Sequence, residues 1–275
     1  MYRHVWLTKT APVHVAYNGT FVTSTVNDGA ASVRARARVV DAGDRDANVE
    51  VRFEIVAPDG AVVARGSGGR ATLPVGTERE FAADLQVTAP ALWSLESPSL
   101  YRLVTQVIVG GEEVDRHVTR FGIRTIRFDP ERGFFLNGQR VFLKGTNNHQ
   151  DHAGVGTALP DRLQEFRIER LKAMGSNAYR ASHHPPTPEL LDACDRLGML
   201  VIDENRLMGS SEQALADLER LIVRDRNHPS VILWSLGNEE WAIENDERGA
   251  RIVALTMPTS VRCPEESSEH CQSAK

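Results

Sequence analysis

Cysteine is nearly missing from this 275-residue chain, which carries only Cys194, Cys263 and Cys271. Three thiols so spaced make neither a disulfide framework nor a zinc motif. Cys194, set among apolar helical positions, reads as a small core side chain. An excess of one charge is also missing. The net charge is −5 with both signs interspersed, which argues against a nucleic-acid or anionic-membrane surface. No apolar run reaches the length that crosses a bilayer. The opening MYRHVWL lacks the long apolar stretch of a secretory leader and reads as an internal point of a longer protein. Compartment is left open, with the cytoplasm favoured. What remains, 41% hydrophobic and 25% charged residues, is an ordinary globular composition, long enough for one large domain or two smaller ones.

Two rhythms divide the chain. Residues 2–7 alternate as a strand would. From Pro12 to Arg127 short alternating runs follow one another, at 32–39, 49–56, 61–64, 81–87 and 100–109. Turn formers separate them at Asn27-Asp28-Gly29, Pro58-Asp59-Gly60, Gly66 to Gly69 and Gly110-Gly111. About seven strands in about a hundred residues predict an immunoglobulin-like sandwich, without the Cys…Trp…Cys pattern of antibody domains. Trp93 reads as a core or domain-interface aromatic. A hairpin is expected at Asn137-Gly138.

Strands and helices then alternate. The spacing predicts strands at 141–145, 177–181, 199–202 and 231–236. A helix over 160–174 should bury Leu163, Phe166, Leu171 and Met174. A second, capped by Thr187 and Pro188, should stop at Gly198. A third, over 211–226, should bury Ala214, Leu215, Leu218, Leu221 and Ile222. A fourth begins near Glu244. Four βα steps in this order predict the first half of a (β/α)8 barrel. About 140 residues follow Asn137, short of the about 250 a complete barrel takes, so the barrel is expected to be incomplete.

The segment RDRNHPSVILWSLGNEEW, residues 224–241, ends a buried strand on an amide and carboxylates, where parallel sheets place their chemistry. Together with KGTNNHQDHAGVG and RASHHPPTPELLDACDRLGMLVIDENR, it resembles glycoside hydrolase family 2, the β-galactosidases, β-glucuronidases and β-mannosidases. The resemblance runs to about Met257. It implies a multidomain β plus α/β protein. Residues 1–10 would be the remnant of an N-terminal jelly roll, 11–127 the immunoglobulin-like sandwich and 128–257 the first half of the TIM barrel. Residues 258–275 form a non-family tail, such as a frameshifted or artificially terminated reading frame would leave.

The resemblance also implies roles. Glu239 would be the acid/base, and Asn238 would bind a sugar hydroxyl. His149 and His183 would grip further hydroxyls, and Arg180 would be the arginine that supports the nucleophile. Neutral imidazoles suit hydroxyls because one nitrogen donates while the other accepts. Glu240 reads as a rim residue. Asp203 and Glu204 are expected to be structural and pocket-forming, with Glu204 as nucleophile the weaker alternative. In the family the nucleophile ends strand seven, so it is expected to be absent from this chain; Glu265, Glu266 and Glu269 in the tail are not candidates. His149, Asp151 and His152 fit no common metal spacing. Some bacterial β-galactosidases hold Mg2+ through a Glu and a His just after strand three. Here Asn205-Arg206-Leu207-Met208-Gly209 offers neither, so no metal or cofactor is expected. The partner expected is a β-linked sugar, with terminal β-galactosides favoured over β-glucuronides and β-mannosides; self-association is left open. A catalytically inactive fragment keeping only binding surfaces is the reading from another class.

Overall fold

The computed structural model describes residues 3–209 and 211–239. Glu240, the helix expected from Glu244 and the 258–275 tail lie outside them. Seven antiparallel strands come first: β1 (Val13–Asn27), β2 (Ala30–Asp41), β3 (Ala47–Val56), β4 (Val62–Leu73), β5 (Glu78–Thr88), β6 (Tyr101–Val109) and β7 (Glu112–Phe121). They form two sheets, ordered β1-β2-β5 and β4-β3-β6-β7, which is the expected sandwich. Alternation makes the core. β2 buries Ala31, Val33, Ala35, Ala37 and Val39 on one face, opposite Val49, Val51, Phe53 and Ile55 of β3. Asp28 and Gly29 turn β1 into β2 with φ of 48° and 77°, the backbone that a tight hairpin demands.

Two of the β readings change. Gly66 to Gly69 is not a turn but the middle of β4. A Cβ on Gly68 would lie 2.9 Å from the Phe53 ring, so the glycine lets the strand lie against a core aromatic. Residues 3–7 form no strand. Trp6 is 76% exposed, while Arg3 and His4 reach toward the α/β half of the molecule, His4 Nε2 lying 2.7 Å from Asp161.

A small antiparallel sheet follows, of β8 (Ile126–Asp129), β9 (Gly133–Leu136) and β10 (Gln139–Arg140), with the hairpin at Asn137-Gly138 as expected. Then come β11 (Gly145–Asn148), α1 (Asp161–Ala173), β12 (Ala178–Ala181), α2 (Pro188–Leu197), β13 (Leu200–Glu204), α3 (Glu212–Asp225) and β14 (Val231–Ser235). The four strands form one parallel sheet in sequence order, a partial TIM barrel. Among the described residues no helix is long and apolar enough to cross a membrane.

The first barrel strand starts later than expected. The Val141 amide still donates to the Phe134 carbonyl, at 2.9 Å, so the chain leaves the hairpin before pairing with β12 from Gly145 onward. In α1 the buried residues are Gln164 and Ile168, whereas Met174 is 68% exposed. Ile168 packs with Leu190, Leu191 and Cys194 of α2, and Arg170 covers the Phe166 ring. The neighbouring helix chose the face. α2 keeps its expected ends: Thr187 Oγ1 accepts from the Leu190 amide and Gly198 stops the helix at φ 70°. In α3, Leu218 and Leu221 are buried, while Ala214, Leu215 and Ile222 are half-buried.

Trp93 joins the two halves. It is fully buried with Phe134, Leu136, Leu200 and Ile232, closing the N-terminal end of the parallel sheet. Its indole N–H donates to the Asp195 carbonyl at 2.9 Å. The turn after α3 locks the same seam. Arg226 donates to the Asn18 and Thr20 carbonyls. Asn227 accepts from the Val22 amide and donates to Thr20. The Asp195 carboxylate takes the Ser230 amide and the His228 ring.

Candidate functional site

Successive residues of a strand face opposite ways, and here this sorts the candidates. Tyr179 and Ala181 of β12, Val201 of β13 and Val231 of β14 pack toward the helices. Arg180 and Glu204 therefore share the other, inner face, and Ser235 joins them because a register shift in β14 between Val231 and Leu233 reverses its phase and sets it opposite Glu204. That face lines a cavity of about 240 Å³, floored by Leu200, Ile202 and Ile232 and edged by Asn147 and Arg180.

At the C-terminal edge these side chains make one network around Glu204, which is fully shielded from solvent. Arg180 donates to Glu204 Oε2, with Nε at 2.8 Å and Nη2 at 2.6 Å. The Ser235 hydroxyl donates to the same oxygen at 2.8 Å. His183 Nδ1 lies 2.6 Å from Oε1. Arg180 also reaches the Asn238 side-chain oxygen at 2.9 Å and Asn147 at 3.5 Å. Charge-assisted bonds of this kind are short and strong, and here they tie the ends of β12, β13 and β14 together. His149, just past β11, stands edge-on to His183 with ring centroids 5.3 Å apart. With Nδ1 engaged by Glu204, the His183 ring keeps Nε2 for a ligand.

The structure thus brings together Arg180, His183, Glu204, Asn238 and His149. Glu239 follows at once, exposed and at φ 54°, a left-handed backbone that costs a non-glycine residue about 1 kcal/mol. Asp203 does not join them. It lies on the helix-facing side of β13, buried against Asp225, and the pocket-lining expectation for it is corrected by strand alternation. Burial, and then the Asp225 carboxylate, push the Asp203 carboxyl well above the usual range. As a carboxylate neither of its oxygens has a donor; as an acid it can donate to Asp225, which Arg224 holds through two bonds of 2.6 Å. Next to His183, burial drives the His184 imidazole down to about 4, so it is neutral at ordinary pH.

Sequence reasoning missed Ser235 and passed over Asn147. Plain alternation from Val231 would turn Ser235 toward the helices, so only the register shift in the assembled sheet sets it across from Glu204. Among the described residues two groups could approach a metal, His4-Asp161-Glu189 and Asp192-Asp195-His228. The second is occupied by its own ion pairs, Asp192 with Arg120 and Asp195 with His228. Neither lies in the Glu204 network.

Comparison with known proteins bears on the whole arrangement. The description "Glycosyl hydrolases family 2" matches residues 13–124. "Glycosyl hydrolases family 2, TIM barrel domain" matches 130–217 and 208–256. The chain is similar to a β-galactosidase of Bacteroides ovatus, 41% identical over 253 residues that make 87% of this chain and 30% of that relative. It is also similar to a β-glucuronidase of Felis catus, 35% identical over 72% of this chain and 31% of that one. A crystal structure of a glycosyl hydrolase family 2 member from Bacteroides cellulosilyticus superposes with a TM-score of 0.81 at 38% identity, over 90% of this chain and 35% of that one. The chain therefore spans about a third of the length of these relatives.

Proposed function

The chain belongs to glycoside hydrolase family 2, and on that premise we propose that it carries the acid/base half of a retaining exo-β-glycosidase site for terminal β-galactosides. One observation carries the reading: the Arg180 guanidinium ties Asn238 to Glu204 at the sheet's C-terminal edge, which sets Glu239 beside a cluster of sugar-compatible donors. Glu239 gives its proton to the glycosidic oxygen as that C–O bond breaks, then takes a proton from the water that releases the sugar. The Asn238 amide bonds the hydroxyl next to the anomeric carbon. His183 and His149 take further hydroxyls through their free ring nitrogens.

Retaining hydrolysis needs a second carboxylate about 5–5.5 Å from the first. We give Glu204 a positioning role, since it is fully buried and Arg180, Ser235 and His183 fix its carboxylate in place. The nucleophile is assigned outside the described residues. For the sugar, the galactosidase reading rests on the 41% identity to the Bacteroides ovatus relative, and the glucuronidase relative keeps a second reading open. Side-by-side assays of aryl β-galactoside and aryl β-glucuronide, on the protein that contains this chain, decide between them. The galactoside should have the higher kcat/KM by about tenfold or more, as a site built around a hydroxyl discriminates against a carboxylate. Faster turnover of the glucuronide would overturn the sugar assignment and leave the acid/base assignment standing.

A further inference from the structure

The loop over residues 149–157 brings His149 to the site, yet it holds itself mainly to itself. Beyond the β11 ladder its bonds are local. The His152 amide donates to the Gly156 carbonyl at 2.9 Å and the Val155 amide to the His152 carbonyl at 3.2 Å. His152 Nδ1 lies against the Ala153 carbonyl, and Gln150 Nε2 reaches Thr157 at 3.5 Å. Among the described residues, its hydrogen bonds to the rest of the molecule come from two arginines. Arg3 Nη2 reaches the Gln150 side chain at 3.0 Å and the Pro185 carbonyl at 2.6 Å. Arg167 of α1 donates through Nη1 to the His149 carbonyl at 2.7 Å and through Nη2 to the Asp151 carbonyl at 2.6 Å.

We propose that Arg167 is a positioning residue for His149, its guanidinium fork gripping the backbone on both sides of Gln150. The grip has a rigid base, because Ile168, next along α1, is fully buried against α2. It has a defined target, since His149 must stand edge-on to a His183 ring that Glu204 fixes. A planar fork with two parallel donors can span two carbonyls, whereas a lysine presents one compact charge. The functional consequence rests on the reading that His149 and His183 grip sugar hydroxyls. Displacing one reactive group by about 1 Å can cost a site on the order of 10²-fold.

The test uses the histidine-labelled 275-residue chain and the cross-relaxation between the His149 and His183 ring protons. The wild-type chain should show that contact. Arg167→Ala and Arg167→Lys should both lose it while keeping the Trp93 indole resonance that reports an intact domain seam. A contact kept in either variant, or missing from the wild-type chain, overturns the proposal. If Arg167→Ala loses the Trp93 resonance as well, Arg167→Lys decides. Titration with methyl β-galactoside separates the two layers of the argument. Shifts of both histidines in the wild-type chain support the sugar role. Their absence overturns that role and leaves the clamp to be judged by the ring contact alone.

Discussion

A carboxyl group shielded from water must find donors or keep its proton, and Asp203 and Glu204 take different routes. Glu204 faces inward and meets a guanidinium, a hydroxyl and an imidazole. Asp203 faces α3 and meets another carboxyl, and burial holds it in the acid form. An amide has the shape of that acid and can donate the same bond to Asp225. The sign follows from linkage. The folded-state pKa of Asp203 is raised, so its stabilising contribution is whole below the ordinary aspartate range and is lost as pH rises through the raised value. Asp203→Asn should therefore raise stability at pH 7 by about 1 kcal/mol or more, a Tm gain of about 2–4 °C. The gain should vanish near pH 3.5, below the ordinary aspartate value. Thermal melts at the two pH values check this, and a lower Tm at pH 7 would contradict it. The sequence phrase VIDEN shows two adjacent acids and no more. Which of them turns to the site is decided by the strand's phase against its neighbours, a property of the assembled sheet.

At the scale of elements, Trp93 is the pin between the sandwich and the parallel sheet. The alternating strands were legible because half-buried strands impose a period of two on the sequence. So were the caps of α2, where Thr187, Pro188 and Gly198 act locally. The buried face of α1 was legible only in part: Leu171 packs against the α2 cluster as expected, but Ile168 at its centre and the Arg170 cover on Phe166 depend on a neighbour that is distant in sequence. The turn Asn227-His228-Pro229 is also a clasp that grips β1 across the seam, which its local sequence does not announce. Gly122 belongs to the same seam, for a Cβ there would lie 2.7 Å from Pro229 and 2.9 Å from Trp93. Trp93→Ala should cost about 3–5 kcal/mol and leave the Asp195 carbonyl without its donor. Because Trp93 packs with Leu200 and Ile232 and stands outside the sandwich core, the loss should be local. Hydrogen exchange should show β13 and β14 amides losing protection while those of β3 keep theirs. Equal loss in both would mean that the halves unfold as one unit and that Trp93 is not a separable pin.

For the whole molecule, two β-sheets and a partial barrel serve to bring four strand ends to one edge. The sandwich plugs the sheet's N-terminal end through Trp93, and the proposed site stands at the opposite end, where β11 to β14 deliver His149, His183, Glu204 and Asn238. The order of elements was legible because each βα step announces itself through local periodicity and caps. The network was only partly legible, since Ser235 and Arg167 act through partners 31 and 18 residues away. The central claim is that Glu239 donates the proton to the leaving group. It is tested by kcat/KM of Glu239→Gln and wild type, in the protein that contains this chain, on aryl β-galactosides with poor and good leaving groups. A poor leaving group needs the proton and should lose about 10²–10⁴-fold, whereas dinitrophenolate leaves without it and should stay within about tenfold. Equal losses on both substrates would contradict the assignment.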